Sequence, residues 1–182
     1  GMTPIMPMLK RDWIELRKHA LITILFWVLM PILIHTFLAI PLSRLITLDI
    51  RYLNWSAAGV WICSAGMIAF IETANRFRKI HFETRQIDVI LQSPVTNLEL
   101  LSVIMFRGVI FGLCQFVFAI CITSTLNHEY FGISNILFIT VQMLVIISFF
   151  SVLGTIFGLV ISNRMIFIQS SFILFLFLSL SM

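Results

Sequence analysis

The sequence predicts an all-α fold, a polytopic bundle of about five membrane-spanning helices with the N-terminus on the cytoplasmic side. Three observations carry this. Of 182 residues, 60% are hydrophobic and only 11% are charged, against about 25% charged in an ordinary soluble domain. Mean hydropathy is +1.06, so most of the surface cannot face water. The apolar residues also lie in long runs separated by short polar breaks, and the basic residues crowd into alternate breaks. The length suits one domain, residues 1–182, because a spanning helix needs about 20 apolar residues.

The elements follow in order. Gly1 ahead of Met2 reads as a cloning remnant. No cleavable signal peptide is expected, since the run after Lys10 and Arg11 is too long for a signal core and lacks an A-x-A-like site. Pro7 sits where a helix can begin. Leu9, Trp13, Leu16 and Ala20 then share one stripe, while Lys10, Arg11, Asp12, Glu15, Arg17, Lys18 and His19 take the rest of the surface. Residues 1–19 therefore read as an interfacial amphipathic helix with Trp13 at headgroup depth; a plain basic flank is the simpler alternative. The first span, about Ala20 to Leu42, contains no charge. At ~1.5 Å per residue it crosses a ~30 Å hydrocarbon core. Pro31 and Pro41 can kink it. His35, mid-span, is either functional or a neutral, hydrogen-bonded side chain.

Arg44, Asp49 and Arg51 lie in the next loop, and Asn54 is expected to cap a second span, Trp55 to Ala74. That span is rich in small residues, Ser56 to Gly59 and Ser64 to Gly66, which let helices approach closely. A polar segment, 75–102, precedes a third span ending near Leu126. The fourth span covers Asn135 to Ile161. After a polar break at 162–165, Phe167 to Met182 forms an apolar run of 16 residues with nothing polar to close it. The chain is expected to be cut off in mid-helix there. The three cysteines, Cys63, Cys114 and Cys121, all sit in apolar stretches and match no disulfide or zinc pattern; packing is their expected role.

Orientation comes from Lys and Arg. Segments 1–19, 75–102 and 162–166 hold four, four and one of them, nine in all, against two (Arg44, Arg51) in the opposite loops. Arg107 is left out because it lies within the third span.

Segment 75–102 has a pattern of its own. His81, Arg85, Asp88 and Gln92 form a polar stripe, opposed by Ile80, Ile87, Ile90 and Leu91. This predicts an amphipathic helix over 80–93, ended by Pro94. Thr96-Asn97-Leu98-Glu99 is a capping box, with Val95 and Leu100 as its hydrophobic staple. The segment reads either as a compact knob able to move the two spans it joins or as a solvated loop on the membrane surface.

Phe70-Ile71-Glu72-Thr73-Ala74-Asn75-Arg76, Ile87 to Leu91, Ser93-Pro94-Val95 and Glu99 together resemble the ABC-2 type permeases, the membrane subunits of ABC exporters. The resemblance covers essentially the whole chain and is most specific over 66–101. In that family a degenerate Glu-x-Leu-Leu-x-x-Pro-Val/Leu-x-x-x-Glu stretch forms a coupling helix that docks on an ATPase subunit. Asp88 stands near its acidic position, Ile90 and Leu91 at its paired apolar positions, Pro94 at its proline and Glu99 at its later glutamate. The resemblance implies coupling through Glu83, Arg85, Ile87, Asp88, Ile90, Leu91, Pro94 and Glu99. It further implies a separate ABC ATPase subunit that carries the ATP, a homodimer or paired permease, and a multi-pass place in the bacterial cytoplasmic (inner) membrane. The family has six spans and re-entrant extracellular helices, so the missing last part departs from it. No cofactor is expected in this chain, and no nucleic-acid partner. The absence of G-x-x-x-x-G-K-[ST] excludes it as the ATPase.

Gly108 and Gly112, and Gly154 and Gly158, each form a GxxxG pair suited to close helix contact, within the chain or between subunits. Arg107 lies ~16 Å along its helix from Thr96, at the inner boundary, where it is expected to snorkel and pair with Glu72; Glu72 with Arg76 is the local alternative. The 18 Phe read as lipid-facing and packing surface, or as an aromatic cleft. An intramembrane enzyme is disfavoured because neither H-E-x-x-H nor G-x-S-x-G occurs. A channel or structural membrane protein is the remaining alternative, although no charged ring or repeated polar lining marks a pore.

Overall fold

The computed structural model describes residues 5–45, 52–84, 88–89, 92, 94–128 and 130–180. Among them the elements are helical: α1 (Ile5–Lys18), α2 (Ala20–Ile34), α3 (Ile40–Leu45), α4 (Tyr52–Arg78), α5 (Asn97–Asn127), α6 (Ile133–Val160) and α7 (Arg164–Leu180). A π-helical turn, His35–Ala39, joins α2 to α3, and another, Lys79–Glu83, continues α4.

Four helical segments are long and apolar enough to cross a membrane: Ala20–Leu42, Ser56–Glu83, Asn97–Asn127 and Ile133–Val160. The expected fifth span falls on α7, of which 17 residues are described. Among the described residues four helices are thus long and apolar enough to span, and α7 is a shorter apolar helix. Asn54 is not a cap, because α4 already begins at Tyr52. The helix expected over 80–93 does not start at Ile80 either: α4 and its π turn carry straight through to Glu83.

α4 is the axis of the bundle. Of its apolar window 72% is buried, against 17%, 33% and 22% for the other three spans. The cause is in its composition. Ala65, Ala69 and Ala74 have no exposed area, and side chains this small let α5 and α6 come in close. The GxxxG pairs complete the contact from the other side. A Cβ on Gly154 would stand 2.5 Å from the Phe70 carbonyl oxygen, and one on Gly158 2.5 Å from that of Ala74. On Gly112 it would reach Ile147 Cγ2 at 2.6 Å and the Ala69 Cβ at 3.1 Å, and on Gly108 it would run into the Thr73 hydroxyl. All four glycines thus press α5 and α6 against α4 within this chain.

Around these contacts Ala57, Trp61, Ala65, Ala69, Phe116, Ala119, Met143 and Ile147 form the main core. Polar side chains tie the helices across it. Trp61 Nε1 donates to Thr123 Oγ1 at 2.7 Å, and the Thr73 and Ser151 hydroxyls meet at 2.9 Å. Bonds of this kind between membrane helices are worth about 0.6 kcal/mol on average. Outward, α2, α6 and α7 present large exposed apolar side chains, including Leu21, Phe26, Phe138, Val145, Ile173 and Phe177. An apolar exterior on this scale suits a bilayer, with every spanning backbone satisfied inside its own helix.

Candidate functional site

At one end of the bundle α1, the end of α4 and the start of α5 converge. The face of α1 turned inward is centred on Asp12, which is buried, while Trp13 is 69% exposed. Of the stripe read from sequence, Leu9, Leu16 and Ala20 are half-buried and Trp13 faces outward, while the centre of the inward face is an acid. The reason is electrostatic. Two cations wait on the facing helices, Arg76 on α4 and Arg107 on α5. Arg76 binds Asp12 at 2.8 Å and Glu15 at 3.3 Å, and Arg107 lies 3.4 Å from Asp12. Burying two arginines at a helix junction requires anions beside them, so α1 turns its acidic side in. Its exposed side keeps Lys10, Arg11, Arg17 and Lys18 with Met6, Trp13 and Ile14.

Burial by itself pushes the Glu15 carboxyl up. The charges of Arg76, Arg107 and Lys79, with the Arg76 hydrogen bond, outweigh it and hold the carboxyl below its usual 4.5. Arg107 also lies over the Phe111 ring, 5.4 Å from its centroid.

These pairs replace the expected Glu72–Arg107 pair. Glu72 feels the charge of Arg107 and Arg76, but its carboxylate is in ion-pair contact with neither among the described residues. Asp12 holds both arginines instead. Sequence spacing placed Arg107 at the membrane boundary but gave no way to see that α1 folds back across it.

Apolar packing reinforces the junction. Phe77, Ile80, Leu100 and Ile104 form a buried cluster, with Met8 and Val95 against it. Ile80, read as one edge of a loop helix, is a core residue here. Thr96 accepts from the Glu99 backbone N–H, and the Glu99 carboxylate accepts from the Thr96 N–H at 2.8 Å, which closes the capping box. The Val95–Leu100 staple lies in the same cluster, so the start of α5 is fixed in angle as well as position.

Between Glu83 and Thr96, Asp88 and Pro94 are exposed, Asp88 in helical conformation and Pro94 in a turn. Arg85, Ile87, Ile90 and Leu91 lie outside the described residues. Glu83 binds Arg78 at 2.8 Å, so it braces the end of α4 and its π turn. Arg78 in turn lies over the Phe167 ring of α7, 5.6 Å from its centroid, and lines a cavity of about 440 Å³ between α4 and α7.

Sequence reasoning also missed Gln115. It is fully buried in α5 and donates Nε2–H to the Trp27 carbonyl at 2.9 Å. Pro31, four residues after Trp27, has no N–H to give that carbonyl its helical partner. The pairing of a mid-span proline with a distant amide was the available signal. Trp27 itself packs against Phe111 and Phe118, each 5.7 Å between ring centroids, on the face of α5 that carries Gln115. Among the described residues no cluster of His, Cys, Asp or Glu has the make-up of a metal site.

Compared with protein-family models, curated proteins and solved structures, the chain matches none.

Proposed function

We propose that this chain is the membrane-spanning permease subunit of an ATP-driven ABC-type exporter, moved by a separate ATPase subunit that binds the segment after Glu83. One observation supports the reading most. α4, the helix at the centre of the bundle, continues through its π turn to Glu83 and is packed against the capped start of α5. The segment between Glu83 and Thr96 is therefore held between two firmly joined helices. A push on it is transmitted to the helices that α6 also packs against. The resemblance over 66–101 gives this lever its partner, and the ABC-2 pattern gives it a second permease copy to form the pathway. The excess of Lys and Arg at this end supports a cytoplasmic position for it by the positive-inside rule, and the exporter reading puts the protein in the bacterial inner membrane. ATP binds on the partner; this chain catalyses nothing.

The test begins with a search of the adjacent genes for one carrying a Walker A motif, followed by co-purification of its product with this chain, with its ATPase rate in lipid vesicles as the second readout. Changing Ile87, Ile90 and Leu91 together to Asp abolishes association and returns the ATPase to its rate without permease, while the bundle still elutes as a folded species. Association that survives the triple change overturns the coupling role of the segment.

A further inference from the structure

The cavity between α4 and α7 is amphipathic along its length. Its charged end is made by Arg78 and Arg164, and its walls by side chains such as Met67, Ile71 and Phe172. From Arg78 back to Met67 is eleven residues of helix, ~16 Å, close to half of a ~30 Å hydrocarbon core. The groove therefore runs the depth of about one leaflet, with its cations at the leaflet edge. Two buried polar groups in its lining lack partners: the Ser171 hydroxyl and Arg78 Nε. Ser171 is 9% exposed and Arg78 6%. Buried polar groups are ordinarily satisfied, so a hydroxyl and a guanidinium N–H left without partners beside an apolar slot point to a ligand with an oxygen-rich head and an apolar chain. Arg164 is exposed and in no ion pair among the described residues, which leaves its donors for an anion.

We propose that this groove binds an anionic, phosphate-headed amphiphile, with its phosphate at Arg164 and Arg78 and its chain laid between α4 and α7. Arg78 already gives Nη1 to Glu83 at 2.8 Å and offers its unpaired Nε, so the paired contact to phosphate oxygens falls to the Arg164 fork, and the slot beyond it fits an acyl chain rather than a second polar group. The proposal does not depend on the exporter reading and holds for this chain whatever moves it.

The test is native mass spectrometry of the full chain in maltoside micelles, titrated in turn with phosphatidylglycerol, diacylglycerol and inorganic phosphate. Phosphatidylglycerol binds with defined stoichiometry. Diacylglycerol binds about tenfold more weakly, the loss expected for charge-assisted bonds to the head. Arg164→Gln weakens phosphatidylglycerol about tenfold, and Arg164→Lys recovers part of the loss. Ile168→Glu, at an exposed lining position, weakens it at least as much by repelling the head. Lys10→Gln, on the outer side of α1, changes it less than twofold. Circular dichroism and elution volume establish that each variant is folded. Four results overturn the proposal. Diacylglycerol binding as tightly as phosphatidylglycerol makes the groove an apolar slot only. Displacement by millimolar inorganic phosphate makes it a headgroup site without a chain. Binding unchanged in both Arg164→Gln and Ile168→Glu places the lipid elsewhere. A dimer that excludes lipid and separates in Ile168→Glu shows that a second copy of the chain fills the groove.

Discussion

If Gln115 serves as the substitute partner for a carbonyl that Pro31 leaves open, its worth must depend on Pro31. Trp27 offers its carbonyl to Gln115 Nε2 at 2.9 Å. Leaving a buried acceptor unpaired costs about 1–3 kcal/mol, while cycles on membrane helices average about 0.6 and reach about 1.7 kcal/mol. The smaller scale governs here, because Gln115 Oε1 is itself buried without a partner and its removal offsets part of the loss. Gln115→Leu is therefore expected to destabilise the chain by roughly 0.5–1.5 kcal/mol. Pro31→Ala restores the N–H and lets Trp27 bond within its own helix. In that background the amide of Gln115 has lost its acceptor, and Gln115→Leu costs about zero or stabilises. The coupling energy is about 1 kcal/mol, read from equilibrium unfolding in mixed micelles for wild type, both single variants and the double. A coupling below about 0.3 kcal/mol, with both single variants folded, would refute the reasoning, since independent sites add to within that margin.

Asp12→Asn removes the anion shared by Arg76 and Arg107 and is expected to cost roughly 1.5–3 kcal/mol, read by the same unfolding; Glu72→Gln is expected to cost less, and the reverse order would count against the observed pairing. The Glu15 carboxyl titrates below its usual 4.5, so its contribution is complete above that pH and is lost as pH falls through the lowered folded value. The hydrogen-exchange protection factors of α1, corrected for the intrinsic pH dependence of amide exchange, should stay constant from neutral pH down to about 4.5. They should fall below it, more gently in Glu15→Gln; because Glu15 is partly exposed, added salt should shrink the difference. Gly154→Ala drives a methyl into the Phe70 carbonyl and is expected to cost about 1–3 kcal/mol by overpacking, whereas Gly132→Ser meets nothing within 4 Å and should be neutral or slightly stabilising as an N-cap.

Much of the helical content was legible because a bilayer allows so few solutions. An uninterrupted apolar run must be helical to satisfy its backbone, so α2, α5 and α6 could be placed within a few residues. The capping box at Thr96 was legible for a local reason: its partners are three residues apart. Tertiary choices were hidden. Nothing in the spacing of α1 tells which side faces in, because that is set by Arg76 and Arg107, more than sixty residues away in the chain. The same holds for Gln115, whose partner is a backbone atom 88 positions off. Ile80 was misplaced for a related reason: it packs with Phe77, Leu100 and Ile104 between α4 and α5, a contact no local spacing reveals.

The burial of α4 has a consequence for how the protein is made. Helices enter the bilayer in order of synthesis, and each is sorted by its own apolarity. α4 is the least apolar of the four spans, carries Glu72, and keeps its small and polar side chains for contact with α5 and α6. When it emerges neither neighbour exists. α4 must wait at the insertion machinery, or at the edge of the lipid, until α5 and then α6 arrive to cover it. Biogenesis is therefore expected to be cooperative across these three helices: chains halted before Gly112 should show α4 incompletely inserted by glycosylation mapping, and chains extended past Gly158 should show it fully spanning.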